Sequence, residues 1–322
     1  MTNDLDPDFS EHERIFHYTT PEGLYGILES TCLWATHFQF LNDSKEFYAA
    51  RESLIQFVHK AIHRRFAAWK VNKQFVFEHG VNLSSLALHE AGVIVDAMYK
   101  TTYETLGWPF VFSGFCCNPD HKSYRNGGLL HWATYGRRGG YAIRLNPHKI
   151  VPLLKAENTK FPDFVYLSSR VVYSEDAPES RFKTDYETLA TVAQSMIEGM
   201  AKDDLSHVDV ARSADPFWRI SSMLKDEYFR DESEARIVGL IMNTGRPGNQ
   251  QHVIHVRHRD GVSIPYIKIF EHSLLGENCP IEAIIIGPHP ERARRYRALT
   301  TFLRHSKLDF IDVIESDVPF IA

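Results

Sequence analysis

Apolar positions recur along this chain with two alternating periods, and each switch marks an element. Residues 16–19 alternate as a short strand, and Pro21 stands in the first-turn position that opens a helix through Leu28. A second strand is predicted over residues 33–36. After a turn at Asn42 and Asp43, the apolar residues Phe47, Leu54, Phe57, Val58, Ile62 and Phe66 repeat at helical spacing, and a further helical stretch covers residues 83–106. The pattern then turns β-rich over 108–117, helical over 129–135, and extended over 141–145, where Gly139 and Gly140 introduce the strand. Further on it predicts strands at 164–173, 236–242, 253–256, 264–269 and 281–286, and helices at 181–202, 216–228 and 291–304.

Helices and strands interleave irregularly, without the steady repetition of a doubly wound sheet. The prediction is an α+β fold, a mixed and mainly antiparallel sheet core with helical insertions. No repeat or low-complexity linker divides the chain, and the polar segment 244–251 reads as a hairpin loop. One domain over residues 1–322 is expected, with a helical insert at about 44–106.

Composition narrows the class. A 322-residue chain with 43% hydrophobic residues can bury a substantial core. Its net charge of -5 excludes a broadly basic surface that coats nucleic acid, so any such partner must be gripped by a local patch. The opening MTNDLDPDFSEHE is acidic, and nowhere do apolar residues run long enough to span a bilayer, which predicts no membrane association. The four cysteines show no CxxC spacing, as expected of reduced thiols in a cytoplasmic protein.

The densest chemistry lies in KDEYFRDESEARIVGLIM, residues 225–242, where Glu232 and Glu234 run into an apolar strand. Carboxylates two apart on a strand share a face, and such a pair is costly unless a cation, a ligand or a shifted pKa relieves it. Arg236 offers the plain alternative of an ion pair. In FHYTT, His17 and Thr19 share one strand face, from which an imidazole can hydrogen-bond a ligand. In LLHWATYGRRGGY, Trp132 and Tyr135 lie three apart on a short helix, either packed in the core or stacked on a planar heterocycle, and Arg137 and Arg138 beside two glycines suit a phosphate. No GxGxxG, P-loop or GxSxG pattern is present. HKAIH lacks the glutamate of a zincin, and His252, His255 and His258 are spaced to face alternate sides of a strand, so no metal site is predicted. Arg292, Arg294, Arg295 and Arg297 form a basic run that could steer RNA, DNA or a phosphorylated cofactor.

Several separated blocks resemble the AbiGi-like family of prokaryotic proteins, a domain of unknown function. The opening block is His17, Tyr18, Thr19, Leu41, Asn42, Asp43 and Glu46, and the central one Ser113, Trp132, Tyr135, Gly140 and Tyr141. The late block is Lys225, Phe229, Glu232, Glu234 and Arg236, followed by Ile286, Gly287, Pro288 and a closing segment at 316–320, where Ile321 replaces the arginine expected after the aromatic. The arrangement is also similar, remotely, to the ADP-ribosyltransferases. That resemblance implies an NAD-consuming enzyme of prokaryotic defence or toxin systems, modifying a protein or nucleic acid and paired with an antitoxin or defence partner. It implies catalytic roles for Glu234, which would stabilise the oxocarbenium-like transition state, and for Glu232, which would assist the acceptor. Cofactor-binding roles fall to His17, Thr19, Ser113, Trp132 and Tyr135. The alternatives are a non-enzymatic nucleic-acid-binding or sensor module and a metal-dependent nuclease that uses the same carboxylates.

Overall fold

The computed structural model describes residues 13–41, 46–72, 77, 80–136, 139–242, 252–259 and 261–319. Asn42 and Asp43, Arg137 and Arg138, the loop 244–251 and Phe320 lie outside the described residues. The first strand, β1 (Arg14–Thr19), leads into α1 (Pro21–Ser30), whose N-terminus is closed by Thr20, its hydroxyl accepting from the Gly23 amide at 3.2 Å. β2 (Leu33–His37) follows, then α2 (Glu46–Val71) and α3 (Leu83–Thr101), the latter capped by Asn82. β3 (Pro109–Cys117), the short helices α4 (Ser123–Asn126) and α5 (Leu129–Thr134), β4 (Tyr141–Leu145), α6 (Pro147–Lys160), β5 (Phe164–Arg170) and β6 (Val172–Tyr173) form the middle of the chain. Next come α7 (Pro178–Arg181), α8 (Lys183–Lys202), α9 (Ala214–Met223), β7 (Leu224–Lys225), β8 (Glu234–Ile241), β9 (His255–Arg259), β10 (Val262–Ile269), β11 (Ile281–Ile286), α10 (Arg292–His305) and β12 (Asp312–Glu315).

Ten strands make one sheet in the order β12-β11-β4-β1-β3-β2-β10-β9, with β8 on the other edge of β3 and β5 beyond it. Every pairing in it is antiparallel except β11 with β12, so the fold is α+β with a mainly antiparallel sheet. The sheet forks along β3. β8 pairs continuously with one edge of β3, whereas the other edge is shared by β1, opposite Phe115, Cys116 and Cys117, and β2, opposite Phe110 and Val111. Between those two ladders, Phe112, Ser113 and Gly114 face no paired strand on that edge.

Each face of the sheet is covered. On one, Ile15, Phe112, Ile143, Ile237 and Ile284 pack under α1, α6 and α10 through Leu24, Ile27, Leu153, Leu299 and Leu303. On the other, Phe16, Tyr18, Phe115, Ala142 and Ile285 lie with Trp132, and Val111, Val165, Val238 and Leu240 lie with Trp218 and Met223 of α9. Residues expected as a helical insert supply α2 and α3, whose buried Leu54, Val58, Ile94 and Met98 share a core with Tyr186, Leu189 and Val192 of α8 and Phe217 of α9. Each fully buried side chain of this size contributes about 1.5–3 kcal/mol.

Several elements differ from the pattern reading, among them the following. α6 was not anticipated because Pro152 interrupts it; Asn146 caps it, and buried Ile150, Leu153 and Leu154 hold it to the sheet despite the proline. The helix expected over 216–228 ends at Met223, and a 3-10 turn, Glu227–Glu232, follows β7. The strand at 164–173 divides into β5 and β6. β12, a short strand with no fully buried residue, carries too little alternation to stand out.

Candidate functional site

Ser233 adopts the left-handed region at φ 47, which ends the 3-10 turn and starts β8 at Glu234. Glu232 and Glu234 therefore are not two positions of one strand, as the sequence reading had them. Glu234 pairs across from Phe115 and Arg236 from Ser113, so these four side chains share a face. Arg236 grips Glu234 with two bonds, Nε to Oε1 at 2.8 Å and Nη2 to Oε2 at 2.9 Å, and its Nη1 donates to the Ser222 carbonyl at 3.0 Å. Lys225, delivered by β7, donates to Glu234 Oε2 at 2.6 Å and to Glu232 Oε2 at 2.7 Å. The Glu234 amide donates to the Tyr173 phenol at 3.1 Å.

The result is a buried four-member network of two carboxylates and two cations. Lys225, Glu234 and Arg236 are each 4% exposed or less. Burial alone would raise the Glu234 carboxyl, but the charges of Arg236 and Lys225 and their hydrogen bonds outweigh it and hold the group down at about 2. The like-charge conflict apparent in the sequence is resolved by Lys225, which sits between the two carboxylates.

Glu232 occupies the rim of this network, its side chain 12% exposed. Its second oxygen, Oε1, accepts from the Tyr135 hydroxyl at 2.8 Å. Burial and then the Glu232 charge push the Tyr135 phenol up, so it stays protonated and donates. Tyr135 and His131 lie against Phe115 at ring distances of 4.9 and 4.3 Å. His131 Nε2 donates to the Glu232 carbonyl at 3.2 Å, and burial lowers its pKa. The Phe229 ring covers Lys225 Nζ at 4.9 Å. His131, Tyr173 and Ser222 were not singled out by sequence reasoning, since nothing in their spacing distinguishes them from packing residues.

The residues expected to bind one ligand divide between the two faces. Phe16 pairs across from Phe115, itself across from Glu234, so Phe16 and Tyr18 point toward the network while His17 and Thr19 point away. His17 stacks on Phe112 at 4.6 Å, and its Nδ1 donates to the Ser113 carbonyl at 2.9 Å in the fork that β1 and β2 leave open. Burial lowers its pKa to about 4, aided by the charge of Arg257. Thr19 pairs across from Tyr141 and lies against Gly23 of α1. The expected meeting of His17 with Tyr135 and Glu234 is therefore not formed: strand alternation places the imidazole on the α1 side. Trp132 is on the network side but is a core residue, its indole nitrogen bonded to the Asn126 carbonyl at 2.9 Å and its ring filling space left by Gly127, Gly136 and Gly287.

The basic run also divides. Arg292 donates to the Ser316 carbonyl, and Arg295 lies over the Tyr141 ring at 4.3 Å. Arg294 pairs with Glu291 at 3.1 Å and, like Arg297, is exposed. Among the described residues no three His, Cys, Asp or Glu side chains gather as a metal site would require. Burial raises the Cys116 and Cys117 thiols to about 12 and about 11, the opposite of activation.

A family model described as a protein of unknown function, DUF2971, matches residues 131–237. The matched segment begins at His131 of α5 and ends at Ile237 of β8, and so contains Tyr135, Tyr173, Lys225, Glu232, Glu234 and Arg236. No curated protein and no solved structure matches the chain. No helix among the described residues is long and apolar enough to cross a membrane.

Proposed function

We propose that this chain is an NAD-consuming transferase that moves ADP-ribose to a protein or nucleic acid, with Glu232 rather than Glu234 as the carboxylate that faces the substrate. The observation carrying this reading is the rim position of Glu232: a carboxylate fixed by Lys225 and the Tyr135 hydroxyl, backed by aromatic rings, and still partly open. Breaking the glycosidic bond of NAD develops positive charge on the ribose as nicotinamide leaves with the bonding electrons. A preoriented carboxylate stabilises that charge more in the transition state than in the ground state. In this reading Tyr135 contacts the departing ring. Glu234 holds Lys225 and Arg236 and acts as a positioning residue.

A magnesium nuclease would need the two carboxylates to share a cation. Lys225 already stands at that position, which argues against the same pair holding a metal. A nucleic-acid module would rely on Arg294 and Arg297, the exposed part of the basic run.

The test is release of nicotinamide and labelling of cell extract with radiolabelled NAD. The wild-type chain should release nicotinamide, and Glu232→Gln should lower the rate about 100-fold or more while folding normally. No nicotinamide and no labelled product from the folded wild type would overturn the proposal.

A further inference from the structure

At the end of the sheet where β1 finishes and β4 begins, the first turn of α10 carries an unmatched cation. Arg295, in the first turn of α10, lies over the Tyr141 ring at 4.3 Å, and its terminal nitrogens, Nη1 and Nη2, are buried with no hydrogen-bond partner among the described residues. The nearby acid on its own helix, Glu291, pairs with Arg294 instead. Gly139, at φ 83, brings backbone against the guanidinium: a Cβ there would stand 2.5 Å from Nη1 and 2.6 Å from the His289 ring. This is a position only glycine fills without strain. Tyr25 of α1 lies near enough to Tyr141 and to the Arg295 charge to feel both.

Withdrawing a guanidinium from water without acceptors is costly, and a packed structure keeps such a group where a ligand supplies them. Two parallel N–H donors match two oxygens of an oxyanion, and a phenol adds a donor from another direction, an arrangement suited to a tetrahedral group. We propose that this end of the sheet binds a phosphate group of a small phosphorylated ligand through Arg295, with Tyr25 assisting. The recessed nitrogens favour a small ligand over a polymer backbone. The site lies on the face that carries His17 and Thr19, opposite Glu232, and it stands whether or not the transferase reading does.

Titration calorimetry with inorganic phosphate, ADP-ribose, acetate and a short single-stranded oligonucleotide tests it. Phosphate and ADP-ribose should bind the wild type, and Arg295→Gln should weaken both about tenfold or more, with Arg294→Gln unchanged and Tyr25→Phe weakened less. Glu232→Gln should bind phosphate as the wild type does, which separates this site from the catalytic proposal. As a second readout, phosphate should raise the melting temperature of the wild type over chloride at equal ionic strength, and do so less in Arg295→Lys, which keeps the charge but loses the fork. The inference is overturned if folded Arg295→Gln binds phosphate unchanged, if acetate binds as well as phosphate, or if only the oligonucleotide binds.

Discussion

Arg236 and Arg295 are both guanidinium groups withdrawn from water, and their surroundings differ in every other respect. Around Arg236 each donor has an answer: two carboxylate oxygens of Glu234 and the Ser222 carbonyl, with Lys225 and Glu232 completing an even balance of charge. Around Arg295 there is an aromatic face and, among the described residues, no acceptor for either terminal nitrogen. The first arrangement closes on itself and locks α9, β7 and β8 together. The second is complete only with something added. A buried charge by itself therefore does not identify a ligand site; an uncompensated one does.

The sharpest way to break this contrast is to remove the shared anion of the closed network. Glu234→Gln leaves Lys225 and Arg236 buried against a neutral amide, and a loss of about 3–5 kcal/mol is expected, since breaking a buried pair strands its partner. Urea denaturation measures it. A loss below about 1 kcal/mol would mean that water reaches the network and that its closure is illusory.

Acid and base titration sharpens the same point with two buried glutamates. Glu234 has its folded pKa below the ordinary value, so its contribution is present above 4.5 and disappears as pH falls toward about 2. Glu157 lies 3.4 Å from the buried His252 ring, which burial keeps neutral near pH 7, and burial outweighs the Phe270 backbone hydrogen bond and the Lys160 charge to raise its carboxyl to about 7. Its contribution has the opposite sign: present below 4.5 and lost as pH rises through about 7. Melting temperature against pH should fall on the acid side in the wild type. Glu157→Gln should remove a loss on the order of 2 kcal/mol on the neutral side. An unchanged neutral limb in that variant would refute the assignment.

Much of this architecture was legible in the chain because alternation and helical spacing report burial directly. The strands β1, β4 and β11 and the helices α1, α8 and α10 stand close to where the pattern placed them. The candidate site was legible only in part. That Glu232 and Glu234 needed a cation followed from their spacing, and that Arg236 could supply one was visible. Lys225 was seen as part of a family-like block without a role, because its partners are set by a left-handed Ser233 and a 3-10 turn that spacing does not encode. His17 was misplaced for another reason. Its face is fixed by which strands pair, and the fork in which β1 and β2 share one edge of β3 is a long-range fact with no local signal.

Rim and interior of the network can be told apart next. Glu232→Gln should cost only about 1 kcal/mol, because Lys225 keeps Glu234 and the rim group is partly solvated, yet it should remove nicotinamide release. Tyr135→Phe should behave alike in stability and lower the rate about tenfold. Equal losses of stability in Glu232→Gln and Glu234→Gln, measured by the same urea titration, would make the two carboxylates one structural unit and leave no group for the chemistry.

The smallest expected effect is the most telling for the comparison. Arg295→Met removes a cation that has no counter-ion among the described residues, and the replacement keeps an apolar stem of similar length against Tyr141. The lost cation–π contact and the relieved desolvation act in opposite directions, so the change in stability should stay within about 1 kcal/mol of zero. Arg236→Met, the same substitution in the closed network, would leave the buried Glu234 with Lys225 alone and strip it of two hydrogen bonds, and should cost about 3 kcal/mol or more. If the two substitutions destabilise the chain equally, Arg295 has an internal partner after all, and it holds the fold rather than a phosphate.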